Sequence, residues 1–271
     1  NSTGSGTKNN RLLTGYRAHA SLKYPYFNPL AGPASGLSVT AESALPYPHH
    51  RGLWLGCDPV NGGNYWSDGP LEQGQIKSTK LELTTATKES AQFQNDCQWV
   101  RPDAPSPLKD ERQFTVRVLG EHAWVIDADI RLFAQEDISI KKAKHSFFAM
   151  RAASDLSPSY GGILMNSEGG VGAQGTYGKP AHWCGYHGKR AAQPKIVEGI
   201  AIMEHPENPW APCPWFTRDY GHLSPSPFNF LDKPWQFEKG KTLRLRYRVV
   251  VHAGTPAEAG LDKIYQQWVE G

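Results

Sequence analysis

The clearest signal along this chain is alternation. Gln113–Leu119 (QFTVRVL), Ala123–Phe133 (AWVIDADIRLF) and Thr242–Val251 (TLRLRYRVVV) switch between apolar and polar at nearly every residue. A strand with one buried face reads this way, because successive side chains point to opposite sides, and the β-branched and aromatic content suits a pleated surface. GEH between the first two predicts a hairpin turn, and Lys80–Thr87 and Ile138–Arg151 read as further strands. Turns rather than helices separate these segments, which points to antiparallel pairing. One segment, Pro256–Val269, has a helical period: Thr255 caps it, Pro256 takes the first position, Glu258 completes a capping box, and Leu261, Ile264, Tyr265 and Trp268 form an apolar stripe. No internal repeat or break in composition divides the chain. Residues 1–271 therefore read as a single all-β domain, a large antiparallel β-sandwich with one C-terminal helix over 256–269 and a flexible lead-in over 1–10.

Composition narrows the partners. A chain of 271 residues can bury a substantial core as one domain. The formal net charge of +3 is too slight to argue for nucleic acid or an anionic membrane as partner. No apolar run reaches the roughly 18 residues of a membrane helix. Cys57, Cys97, Cys184 and Cys213 form an even set without C-x-x-C spacing, which argues against a zinc ribbon. They favour an exported protein, secreted or periplasmic, with one or two disulfides; four buried reduced thiols are the alternative. Nothing in the pattern addresses oligomeric state.

The unusual parts lie between the strands. Residues 24–33, 45–69, 161–188 and 205–235 are rich in Gly, Pro, Trp and His, and such long connections are where a rigid scaffold presents functional side chains. LPYPHHRGLWLG carries His49, His50 and Arg51, with Trp66 following; GKPAHWCGYHG carries His182 and His187; and the run 204–228 carries Glu204, His205, Trp215, Arg218, Asp219, Tyr220 and His222. For any one histidine a hydrogen-bonded structural role is the ordinary reading. Gathered together, these residues suit a polyhydroxylated ligand, since sugar faces stack on aromatic rings and hydroxyls satisfy Arg, Asp, Glu and His. Adjacent histidines on an extended segment point to opposite faces, and no H-x-H or H-x-E-x-x-H spacing occurs. No metal ligand set and no cofactor is assigned, and a metal-dependent enzyme stands as a second alternative. Asp58, Asp68, Glu168, Glu204 and Asp219 are the carboxylates within the loops, and the sequence does not choose an acid–base pair among them.

PHHRGLW, DPVNGGNYW, FFAMR, NSEG, GKPAHWCGYHG and the run from GIAIMEHPENP to PWFTRDYGHLSPSPF together resemble the bacterial family DUF6807, whose members carry the labels PmoA-like or methane oxygenase. The resemblance extends from about Tyr24 to Val251. A methane oxygenase subunit would need membrane helices, so that label is set aside. The family implies a galactose mutarotase-like supersandwich, also used by several polysaccharide lyases, and a secreted carbohydrate-active protein. Its motifs point to His49, His50, Arg51, Arg151, Glu168, His205, Arg218, Asp219, Tyr220 and His222, while Glu204 stands where the family has Asp. The expected protein cleaves a glycosidic bond, as hydrolase or lyase, or modifies a sugar by acid–base chemistry. His50, His205, Asp219, Glu168, Tyr220 and His222 are its candidate catalytic groups; His49, Arg51, Trp66, Arg151, His182, Glu204, Trp215 and Arg218 would bind an oligo- or polysaccharide. Arg51 and Arg218 would bind an acidic group or stabilise developing negative charge, and Trp66 or Trp215 would be the stacking platform. A non-catalytic carbohydrate-binding protein is the alternative. Within the doublet, His50 is expected to be functional and His49 structural.

Overall fold

The computed structural model describes residues 3–8 and 11–271, with side chains from Leu12 onward. In chain order the strands are β1 Thr3–Lys8, β2 Arg11–Arg17, β3 Tyr26–Leu30, β4 Leu53–Asp58, β5 Gln75–Ala86, β6 Ser90–Val100, β7 Leu108–Val118 and β8 Ala123–Ala134. They continue as β9 Ile138–Ile140, β10 His145–Arg151, β11 Ile163–Asn166, β12 Trp183–Arg190, β13 Gln193–Glu204, β14 Trp215–Thr217, β15 His222–Pro225, β16 Trp235–Phe237 and β17 Thr242–Ala253. A seven-stranded sheet runs β1-β2-β3-β4-β10-β15-β14, and an eight-stranded sheet runs β11-β12-β13-β17-β8-β7-β6-β5. The all-β, antiparallel reading holds, and the inner faces of the two large sheets share one apolar core.

Alternation assigns the faces. Phe148 of β10 stacks on Tyr247 of β17 across the core at 4.7 Å, so Ser146, Phe148 and Met150 point inward. Their neighbours His145, Phe147, Ala149 and Arg151 point outward. The register His145↔Asp58, Phe148↔Leu55 and Ala149↔Trp54 then turns Leu53 and Leu55 inward and Trp54 and Asp58 outward. Arg151 pairs with His222 on the next strand. One outward sheet face, covered by a loop, thereby gathers Asp58, Trp54, His145, Arg151 and His222.

Several boundaries differ from the pattern. Ile138–Arg151 is not one strand: β9 pairs with β16 in a separate two-stranded sheet, and β10 joins the seven-stranded sheet. The C-terminal helix divides into α2 (Pro256–Ala259) and α3 (Leu261–Glu270), because Gly260 adopts a left-handed φ of 68°. The Thr255–Glu258 capping box is formed as expected. The five-residue helix α1, Gly172–Thr176, precedes both in the chain. Segments expected as loops also hold strands, since β3, β4, β11, β14 and β15 fall within them and β12 begins in one. The lead-in expectation falls partly on Asn1, Ser2, Asn9 and Asn10, which lie outside the described residues; Thr3–Lys8 pairs with Arg11–Arg17 as an edge strand. The four cysteines are buried and unpaired, which corrects the disulfide expectation.

Candidate functional site

The outward face of the seven-stranded sheet is covered by residues 45–68, and their local turns decide what meets there. Tyr47 donates its N–H to Ala44 and accepts at its carbonyl from His50 N–H, both at 3.0 Å, so the chain turns at the doublet. The two imidazoles consequently fall side by side, 4.5 Å apart and edge to face, instead of on opposite faces. The buried Tyr24 hydroxyl donates to the His49 carbonyl and anchors the turn. Gly52 ends it with φ 61°, packed so close to Phe27 that a Cβ would collide with that carbonyl oxygen. Gly52→Ala is expected to lower stability by about 1–3 kcal/mol through strain. Urea denaturation checks this through a lower midpoint at unchanged slope.

Two layers result. The lower one is buried: His50 stacks on His222 at 4.6 Å and on Trp54 at 5.5 Å, with Trp66 edge-on to Trp54 at 5.1 Å. His50 and His222 are 3% and 1% exposed. Burial pushes His50 down to about 2, with His49 and Arg151 adding in the same sense. Burial likewise holds His222 well below the usual imidazole range. Arg151 Nη1 donates to His50 Nδ1 at 3.4 Å. A guanidinium can only donate, so neutral His50 carries its proton on Nε2. The indole N–H groups of Trp54 and Trp66 and Nδ1 of His222 lack hydrogen-bond partners among the described residues.

The upper layer reaches solvent and contains two histidine–carboxylate pairs. His49 Nδ1 lies 2.7 Å from Asp68 Oδ2, and His145 Nδ1 lies 3.9 Å from Asp58 Oδ2. Ser67 joins the second pair, donating to Asp58 at 2.7 Å with its oxygen 3.4 Å from His145. Asn64 Oδ1 accepts from the backbone of Trp66 and Ser67 and shapes that loop. The His49 and His145 rings are 6.2 Å apart. Burial lowers His145 to about 4 despite the opposing pull of Asp58, so its ring is neutral at physiological pH. Tyr47 and Tyr220, 5.1 Å apart, border the layer, and the Arg151 guanidinium sits 4.6 Å over the Tyr220 ring.

The other expected residues separate. His205 and His182 lie on the opposite side of the molecule, against α3, where they meet Trp268 at 5.1 Å and Tyr265 at 5.0 Å. Alternation along β13 explains this, since Met203 faces the helix side and Glu204 turns into the core beside Tyr247. Glu204 accepts from Cys213 N–H at 2.6 Å, and burial pushes it up to about 7. Trp215 is fully buried with its indole bonded to the Ala181 carbonyl, and Trp66 is equally buried. Neither is a stacking platform. Glu168 is exposed, and its carboxylate is bonded only to its neighbour Ser167 among the described residues. The Asp219 carboxylate accepts from Ala173 N–H at 2.8 Å, and the Arg218 guanidinium packs on Phe216 at 4.1 Å and Tyr177 at 4.9 Å. Arg51 lies 5.8 Å from the Tyr26 ring. His50 and His222, expected as acid–base groups, are too buried and too resistant to protonation for that role and instead support the layer above.

Three residues of the upper layer escaped the sequence reading. His145 starts a strand outside every loop rich in histidine, and Asp58 and Asp68 could not be chosen from five carboxylates. The cross-strand register His145↔Asp58 is the signal that joins the first two, and it requires the pairing of β4 with β10. Among the described residues, no three His, Cys, Asp or Glu side chains are placed to hold one metal ion.

No curated protein matches the chain. Among solved structures, a polysaccharide lyase aligns with 89% of this chain and 32% of its own, at 11% identity and a TM-score of 0.38. The chain thus spans about a third of that lyase. A galactose mutarotase related enzyme from Lactobacillus acidophilus aligns over 93% of this chain and 98% of its own, at 10% identity and a TM-score of 0.38. Scores this low decide neither fold nor activity, and the fold rests on the sheet topology. The model of the family described as a family of unknown function, DUF6807, matches residues 6–266, and with nearly the whole chain matched the protein belongs to that family.

Proposed function

We propose that this protein performs acid–base chemistry on a saccharide, with His49 and His145 as the proton-transferring pair. The observation that carries the reading is the pairing of two partly exposed histidines with separate carboxylates, their rings 6.2 Å apart. At that spacing both rings can face one sugar carbon and its oxygen placed over them, within reach of two proton-exchanging groups. Asp68, accepting at His49 Nδ1, orients the ring and leaves Nε2 to exchange a proton, the arrangement by which a carboxylate supports a histidine base. His145, neutral above about pH 4, supplies the second base. The half-buried phenol of Tyr220 and the exposed ring of Tyr47 offer apolar faces for a sugar, the function first expected of Trp66 and Trp215. Bond cleavage by hydrolysis or elimination and export of the protein are parts of the same proposal; with the four thiols unpaired, export rests on the glycan substrate alone.

His49→Ala and His145→Ala are each expected to lower kcat on a responsive glycan by about 10²–10⁴-fold. His205→Ala, on the far side, should leave kcat within twofold. Reducing-end release and formation of unsaturated product, measured across a glycan panel, check this. Full activity in both site variants would refute the acid–base pair. Retention of glycans without turnover by the wild-type protein would assign a binding protein instead. For the active protein the low-pH limb of kcat should fall near pH 4, where His145 gains its proton.

A further inference from the structure

Among the described residues four arginines are buried, and three of them are matched by carboxylates. Arg112 is paired with Asp110 at 2.6 Å, Arg190 with Asp155 at 3.0 Å and Glu198 at 3.2 Å, and Arg248 with Asp127 at 2.5 Å. Arg151 is the exception. It is 4% exposed, and no carboxylate lies within ion-pair distance among the described residues. The groups that act on its charge are phenols, of Tyr220, Tyr186, Tyr47 and Tyr160, and not carboxylates, and among the described residues the one side-chain acceptor of its guanidinium is the neutral His50. Packing on Tyr220 at 4.6 Å recovers part of the hydration lost. A guanidinium taken out of water without a counter-charge remains unfavourable, which is why buried charges are ordinarily paired.

The partner is absent at the site where a ligand is expected. Arg151 shares the outward sheet face with His145 and lies directly beneath Tyr220, while Arg218, the next cation along the same loop, has no carboxylate partner among the described residues either. We infer that the counter-ion of Arg151 is brought by the substrate, and that the substrate is an acidic saccharide whose carboxylate is received by Arg151, with Arg218 adding long-range attraction. This rests on the saccharide reading above and names its class: uronate-containing glycans. A planar carboxylate suits the fork of N–H donors on a guanidinium, and its negative charge is the missing element of the site. A neutral sugar would leave the buried charge as unfavourable as before.

Two measurements test the inference. The first needs no knowledge of the glycan. If Arg151 awaits a ligand, the free protein tolerates its loss, and Arg151→Met is expected to keep or raise Tm by about 2 °C, because removing an unpaired buried charge is favourable. Arg190→Met, which strands two carboxylates, should lower Tm by more than 5 °C. An Arg151→Met variant as unstable as Arg190→Met would make Arg151 a structural residue and overturn the inference. The second is calorimetric titration with glucuronate, galacturonate and mannuronate oligosaccharides, their carboxyl-reduced counterparts and sulfated neutral oligosaccharides. Wild-type protein is expected to bind at least one uronate oligosaccharide at least tenfold more tightly than its reduced form. Arg151→Met should lose that preference and Arg151→Lys should recover part of it. Equal affinity for acidic and reduced forms, or tighter binding of the sulfated neutral glycans, would overturn the carboxylate assignment. Either result would leave the His49–His145 chemistry standing, and that is tested separately by turnover.

Discussion

Stability is expected to fall steeply as pH drops from 6 to 4, by about 3 kcal/mol per pH unit. The cause is a set of histidines that the fold holds neutral. His50 is lowered to about 2, and His145 and His252 to about 4, chiefly by burial. Across this window the three stay unprotonated in the folded chain, while the unfolded chain takes up a proton at each near pH 6.5. The unfolded state binds more protons, so stability declines as pH falls, by about 1.4 kcal/mol per pH unit for each group. Glu204 acts the other way. Raised to about 7, it is protonated in the folded chain and ionised in the unfolded one between about pH 4.5 and 7, which favours folding as pH falls and offsets one histidine. Urea titrations at pH 7.5, 6 and 5 give the slope directly, and a midpoint constant between pH 7.5 and 5 would refute the assignment. His145→Gln should reduce the slope by about one proton. Since two of these rings, His50 and His145, underlie or form the candidate site, loss of the site's order is expected to accompany acid unfolding.

The second large effect concerns the far end of the eight-stranded sheet. Asp110 and Arg112 are both essentially inaccessible, joined at 2.6 and 2.9 Å, with Trp99 Nε1 also donating to Asp110 at 2.7 Å. Asp110→Ala would leave a buried guanidinium and an indole N–H without acceptors, and a loss of about 3–5 kcal/mol is expected. Asp110→Leu combined with Arg112→Met should recover most of it, because an apolar pair of similar volume carries no desolvation cost. Denaturation of the single and double variants reads this out. A double variant no more stable than Asp110→Ala would show that the pair contributes more than mutual neutralisation.

The contrast with Arg151 bears on how function is read in this chain. Arg112 and Arg151 look alike in sequence, each an arginine closing or interrupting an apolar strand. What separates them is whether a carboxylate shares the arginine's own face, from its own strand or from a neighbour in register. Asp110 is two residues from Arg112 on the same strand face, so their meeting follows from alternation alone. Arg151 has His222 and Ala152 around it instead, and its solitude is visible only when three strands and a loop are assembled.

Local chemistry was legible throughout. The alternation of β7, β8 and β17, the hairpin at GEH and the capping box at Thr255 follow from side-chain direction and backbone hydrogen bonding within a few residues, and each is found where it was expected. The break of the C-terminal helix at Gly260 was not anticipated, although its cause is local, since glycine enters the left-handed region freely. The candidate site was half legible. The stretch PHHRG pointed to the loop that carries His49 of the proposed site, but the rule for an extended strand assigned its two histidines to opposite sides, and the turn between Tyr47 and His50 places them side by side. His50 is the buried support and His49 is the exposed partner of Asp68. The sequence by itself determined the all-β class, the faces of the alternating strands and one loop of the proposed site, because these depend on periods of two residues and on short-range turns. Only the tertiary structure decided that His145 and Asp58 belong to the site, that His205 and Glu204 do not, and that Arg151 lacks a counter-charge. Those facts depend on strand register and on which sheet face a loop covers, and both are properties of residues distant along the chain.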